Sequence, residues 1–229
     1  MKVMRFFSKG EYQGLGQPTP AKKFLAQWYK DSEADFVGPS GEEISGLKKC
    51  IPFLDVMISG YMLTTPVDIF VSKNEDGGLN IRWNSPNTFE GFIAERPYEL
   101  GEKIPRPAGH LPNHLAFKGF WGFKTPKGYS LLISHPFNRF DLPFTTTSGL
   151  VDADEFSTSG NIPFFIKEDF VGVIPAGTPF AQLLPVKRDS WIHVPNDTGI
   201  TYLEDLQGAA IRGAGRSYKK HFWQRKDYK

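Results

Sequence analysis

Asp152 and Asp154 stand two residues apart in the run GLVDADEFSTSG, residues 149–160. A carboxylate placed beside a ligand can take a proton from water and act as a general base. The same residues at a strand end also cap turns, because Asp side chains hydrogen-bond nearby backbone. Both readings stay open at this level. Upstream, Ser134, Asn138 and Arg139 fall in SHPFNR, a polar turn between apolar segments and a candidate ligand-binding surface. Gln182 lies inside the apolar run FAQLLPV, and a buried Gln must find hydrogen-bond partners.

Metal and thiol chemistry is constrained by composition. Cys50 is the one cysteine, so an intrachain disulfide and a Cys-based metal cluster are excluded. The five histidines, His110, His114, His135, His193 and His221, show no ligand spacing. His110 and His114 are four apart but lie in GHLPNH, where proline argues against helical geometry. No metal or cofactor is expected; Mg enters only if nucleotide hydrolysis does.

The elements that must position these residues are strands. Ile162, Phe164 and Ile166 alternate with Pro163, Phe165 and Lys167, apolar on both faces, which predicts a strand covered on both sides. Val171–Ile174 is a second short strand. Pro175, Gly177 and Pro179 make a corner, and Phe180–Val186 is a third strand. Val67–Val71 and Leu79–Trp83 flank a turn at Asn74–Gly78 and predict a β-hairpin. Leu115–Phe123 and Tyr129–Ile133, around Thr125–Gly128, predict a second one. A short strand is expected near Phe144, and an edge strand at Val3–Phe7. Residues 84–114 read as a long, partly ordered excursion.

Two helical stretches precede the strands. Ala21–Lys30 predicts a short helix. Ser45–Gly60 predicts a longer one, broken near Cys50, restarted at Pro52 and stopped by Gly60. Asp31–Glu42 is read as loop. The chain of 229 residues therefore divides into an N-terminal strand and helical addition (1–59), a β core (60–200) and a tail (201–229).

Residues 126–186 resemble the trimeric dUTPase and dCTP deaminase superfamily, whose fold is the β-clip. The likeness rests on Ser134 and Arg139 after a strand, then Gly149-Leu-Val-Asp152-Ala-Asp154-Glu-Phe156. A strand at Ile162–Ile166, the corner Ile174-Pro-Ala-Gly177 and Phe180-Ala-Gln182-Leu183 complete it. The resemblance implies a mainly β protein with a β-clip-like or related sandwich core. It implies Asp152 as the catalytic base under a deoxyribose, Ser134 and Gln182 at phosphates, and Asn138, Arg139 and Asp154 as ligand contacts. An enzyme of this kind would be a nucleotide pyrophosphatase-like hydrolase, with sites built between subunits. Arg139 stands five residues after Ser134 here, and GAAIRGAG (208–215) only loosely matches the family's Gly-rich C-terminal motif. IPAGTPF also resembles the second cupin motif, with Phe180 where that motif has a metal-binding His.

The chain as a whole resembles an uncharacterised family associated with tailed phages and some bacteria. The matching features are PAKKFLAQWYK, CIPFLDVMISGYML, KTPKGYS and IPAGTPFAQLLPVKRDSW. This implies a viral setting, in the host cytoplasm or the virion. Two functions follow as expectations: a protein that binds a nucleotide or similar small anionic ligand with little or no catalysis, or a non-catalytic virion assembly component. Self-association is expected with the first.

Charge is unevenly spread. Residues 211–229 carry seven Lys and Arg against Asp227, a net +6 in a chain of net +2, which leaves the body at −4. Tyr218, Phe222, Trp223 and Tyr228 are interleaved with these cations. Such a tail can hold single-stranded nucleic acid, but docking on the protein's own acidic body, with Ser217–Lys229 as a helix, is the preferred reading. The opening MKVMRFFSKGEYQG lacks the apolar stretch of a signal peptide, and no apolar run is long enough to span a bilayer, so no membrane partner is expected.

Overall fold

The structure, a computed structural model, describes residues 2–75, 78–84, 91–195, 203–208 and 218–229. Among these residues it is mainly β, with five sheets and a few short helices. The chain forms two units, Met1–Ala21 with Gly60–Arg188, and Lys22–Ser59 with Asp189–Lys229. This differs from a division at residues 59 and 200. The first residues join the β unit because β1 (Arg5–Phe7) pairs with β10 (Gly122–Lys124), and β2 (Thr19–Pro20) with β5 (Tyr61–Thr64).

The largest sheet of the first unit has the order β13 (Gly149–Val151), β11 (Tyr129–Ser134), β16 (Pro179–Lys187), β5 and β2, antiparallel throughout. A second sheet runs β12 (Phe144–Thr146), β14 (Asn161–Ile166), β9 (Leu115–Lys118), β8 (Ile93–Glu95). The third is β15 (Gly172–Ile174), β6 (Ile69–Lys73), β7 (Leu79–Trp83), in which the first predicted hairpin forms as read. Strand β14 is covered on both faces, as its doubly apolar pattern requires: Ile162, Phe164, Phe165 and Ile166 are all buried. Phe117 of β9 stacks on Phe164 at 3.8 Å between ring centroids, and Phe180 of β16 lies 4.5 Å from Phe117. Rings from the two larger sheets therefore meet in one core, an arrangement consistent with a β-sandwich. Each such ring contributes roughly 1.5–3 kcal/mol by leaving water.

The second predicted hairpin does not form. Its turn exists, with the Tyr129 N–H on the Pro126 carbonyl at 3.1 Å, but the flanking strands go to different sheets. The chain breaks after β9: the Gly119 N–H bonds to Gly160, and the Trp121 indole donates to the Leu15 carbonyl at 2.8 Å. Strand β10 then pairs with β1, and β11 with β13 and β16. Within the excursion 84–114, β8 and a short helix, α3 (Tyr98–Glu102), are ordered elements; residues 85–90 lie outside the described set.

In the second unit the Ala21–Lys30 helix is instead a 3-10 turn, Ala21–Phe24, followed by α1 (Gln27–Asp31). The region read as loop, Asp31–Glu42, holds β3 (Asp35–Val37) and the turn that pairs it with β4 (Glu43–Ser45). Helix α2 (Ile51–Ile58) carries Pro52 in its first turn and follows a separate 3-10 turn, Leu47–Lys49, so the break at Cys50 is where it was expected. Tyr29 and Met57 centre a small core, with Phe53 stacked on Tyr29 at 6.0 Å. The expected C-terminal helix is a single π-turn, Tyr218–Phe222, followed by chain without regular secondary structure. Its Trp223 indole and Lys226 ammonium both donate to Asp55 Oδ2 of α2, at 2.7 and 2.6 Å. The tail thus docks on its own unit through one acidic residue. Residues 209–217, which include most of GAAIRGAG, lie outside the described set.

In the first unit, Gly60 has φ +72° and packs against the Leu183 carbonyl, where a Cβ has no room. Next to it, the Ala21 N–H donates to the Gly60 carbonyl at 3.0 Å. No helix among the described residues is long and apolar enough to cross a membrane.

Candidate functional site

The predicted site residues lie at the two ends of β11. At its start, Ser130 Oγ donates to Asp152 Oδ1 at 2.6 Å. Arg188, just past β16, completes the group. Its Nη1 reaches Asp152 Oδ1 at 3.1 Å and Asp154 Oδ1 at 2.7 Å, and its Nη2 reaches Asp154 Oδ2 at 2.5 Å. The Gly128 N–H adds a bond to Asp154 Oδ2 at 2.8 Å, and the Arg188 N–H returns one to the Gly128 carbonyl at 2.9 Å. Asp154 is buried, and the Arg188 guanidinium holds its carboxyl well below the usual carboxylate range despite that burial. The same pairing raises the Arg188 guanidinium. Asp152 differs: its side chain is 63% exposed, and only Oδ1 is held by the two donors.

At the far end the group around Ser134 and Gln182 is neutral and internal. Gln182 sits opposite Ser134 in the β11–β16 register and is fully buried; its Oε1 accepts the Phe137 N–H at 2.9 Å. Ser134 is buried too, and its hydroxyl donates to the His135 carbonyl at 3.0 Å. His135 ties the turn together: Nδ1 accepts the Thr146 N–H at 3.2 Å while Nε2 lies 3.0 Å from the Arg139 carbonyl. That pattern fixes the tautomer with the proton on Nε2, and burial lowers the imidazole from its ordinary value. Asn138 holds the turn with φ +60°. Arg139 forks onto Asp141, with Nε–Oδ1 and Nη2–Oδ2 both 2.9 Å.

The structure brings Asp152 together with Asp154, and Ser134 together with Gln182, Asn138 and Arg139. It does not bring the two sets together within one chain. Four residues of β11 separate Ser130 from Ser134, about 13 Å of strand. Arg188, Ser130 and His135 were missed by sequence reasoning. Arg188 is 34 residues from Asp154, and only the β11–β16 register, which places Ser130 opposite Val186, puts it beside the carboxylates.

Two concavities accompany these ends. A cleft of about 640 Å³ is lined by Arg139, Lys167, Asp169, Val173 and the Pro175–Pro179 corner. A smaller, more enclosed pocket of about 250 Å³ lies along β13, lined by Ile133, Gly149, Val151, Ala153, Phe156 and Ile162. Its walls are mostly apolar, and Asp152 falls in the chain between two of its lining residues. No cluster of three or more His, Cys, Asp or Glu able to hold a metal occurs among the described residues. His110 is committed to the Ala108 carbonyl and Thr145 Oγ1, each at 3.0 Å. No protein-family model and no curated protein matches the sequence.

Proposed function

We propose that this protein binds a nucleotide or a similar small anionic ligand on a β-clip-like sandwich, with little or no hydrolysis, in a tailed-phage setting. The observation that carries the reading is the apolar pocket along β13. Its volume suits a single flat ring, Phe156 stands exposed at its rim, and β13 is a sheet edge whose outward backbone groups offer a base both donors and acceptors. Asp152 borders it with one carboxylate oxygen uncommitted to Ser130 or Arg188. The Ser134–Gln182 set is a strand-length away and satisfied internally, which supports binding over hydrolysis. Self-association belongs to this reading, because the superfamily that residues 126–186 resemble builds its sites between subunits.

Thermal-shift titration with dUTP, dCTP and the free deoxynucleosides tests it. A rise in Tm with a nucleotide is expected, absent in Phe156→Ala, with no pyrophosphate released. No stabilisation by any of them at millimolar concentration overturns the reading. A strict monomer by light scattering at micromolar concentration overturns the shared site.

A virion assembly role is the second reading. It is favoured by exposed apolar residues on sheet edges and their flanks, Leu150, Phe156, Val171 and Val173. Mass spectrometry of purified particles should then find the protein in stoichiometric amount. Its confinement to infected cells would reject this role.

A further inference from the structure

Docking of the C-terminal segment uses a small part of its chemistry. The Trp223 N–H closes the π-turn on the Tyr218 carbonyl at 2.9 Å, and Trp223 and Lys226 then pin the segment to Asp55. The Lys226 ammonium also lies 5.6 Å from the centre of the Trp223 ring. Lys219, Lys220, His221 and Arg225 remain exposed, as do the rings of Tyr218 and Phe222. Asp227 is the sole acid in residues 218–229. It stands 3.7 Å from Arg225 and 3.6 Å from Lys229, exposed pairings that contribute little. The result is an anchored strip with a surplus of positive charge and two flat rings turned to solvent.

We infer that this strip binds single-stranded nucleic acid. Lys219, Lys220 and Arg225 neutralise phosphates, and Tyr218 and Phe222, on either side of the lysine pair, stack on unpaired bases. Anchoring at Asp55 fixes the backbone before the ligand arrives, so less ordering is left for binding to do. A duplex keeps its bases stacked and offers the rings nothing. A membrane surface calls for a contiguous apolar face, and residues 218–229 contain no Leu, Ile, Val or Met. Docking and nucleic-acid binding are therefore complementary: the first presents the second.

The test is fluorescence anisotropy of labelled oligo-dT with the full-length protein over a salt series. The logarithm of affinity should fall linearly with log salt, with a slope of about −2 for three phosphates. Lys219→Gln with Lys220→Gln should reduce that slope by about 1.4. Tyr218→Ala with Phe222→Ala should weaken binding by roughly tenfold or more, with Tm unchanged because both side chains are exposed. Tyr218→Phe with Phe222→Tyr keeps two stacking faces and should bind as the parent does, which separates loss of stacking from loss of folding. No binding at low salt overturns the inference. So does equal affinity for duplex and single strand with the alanine pair unaffected, and so does binding to phosphatidylserine vesicles without binding to oligo-dT.

Discussion

The two ends of β11 solve the same problem, a polar group at a strand terminus, by opposite means. At Ser130 the solution is ionic and half in water: two carboxylates and one guanidinium, with Asp152 left reachable. At Ser134 it is neutral and interior: an amide, a hydroxyl and an imidazole, each bonded to backbone. The ionic end can meet a ligand through Asp152, whose side chain is exposed and whose second oxygen neither Ser130 nor Arg188 holds. The neutral end cannot, because every bond it gives up leaves a partly buried backbone group unpaired. A sequence that places polar residues at both ends does not distinguish a surface that meets a ligand from a network that shapes a turn.

Substitutions sharpen that contrast, and the largest effect belongs to the neutral end. Gln182→Ala strands the Phe137 N–H and opens a cavity, so it should cost roughly 2–4 kcal/mol in urea denaturation. A stable Gln182→Ala protein that had lost only ligand affinity would break the comparison. At the ionic end, Asp154→Asn should lower Tm by roughly 5 °C, because it leaves Arg188 without its buried partner. The acid limb should change with it. The folded Asp154 carboxyl lies below its unfolded value of 3.8, so the clasp's contribution is complete above that value and drains away as pH falls below it. Asp154→Asn should flatten that part of the stability profile.

Ser130→Ala removes one hydrogen bond to a solvated carboxylate and should cost about 1 kcal/mol. The smallest effect is the pH response of His135. Its folded value lies below the ordinary 6.5, so the unfolded chain takes up the proton first and stability declines as pH falls below 6.5. The charged ring would also turn a donor toward the Thr146 N–H. Tm measured down from neutrality should therefore drift downward in the parent and stay flatter in His135→Gln. An unchanged slope would place the titration at a group other than His135.

Legibility followed burial. Strands β14 and β16 and the β6–β7 hairpin were readable because their apolar residues alternate or run continuously between prolines and glycines. The β3–β4 hairpin was not, since its residues are almost all exposed and carry no apolar period. The misread second hairpin has a different cause. Alternation from Leu115 to Phe123 survives while the chain changes sheets at Gly119, so periodicity alone cannot report the change. The carboxylate pair was visible as a motif. Its guanidinium partner was not, because partnership across 34 residues is fixed by register.

The contact between Ala21 and Gly60 has a consequence for how this chain can vary. The β unit sends its chain out after β2 and takes it back at β5, at residues joined by one backbone hydrogen bond and continued by the Thr19–Met62 and Pro20–Tyr61 pairs. Whatever lies between, the neck is already closed. Lys22–Ser59 is thus held as an insertion, in a position where a tight two-residue turn could stand in its place without altering a strand of the β unit. Length and content can change there while the β2–β5 register is kept, which makes this neck a natural place to graft a designed module.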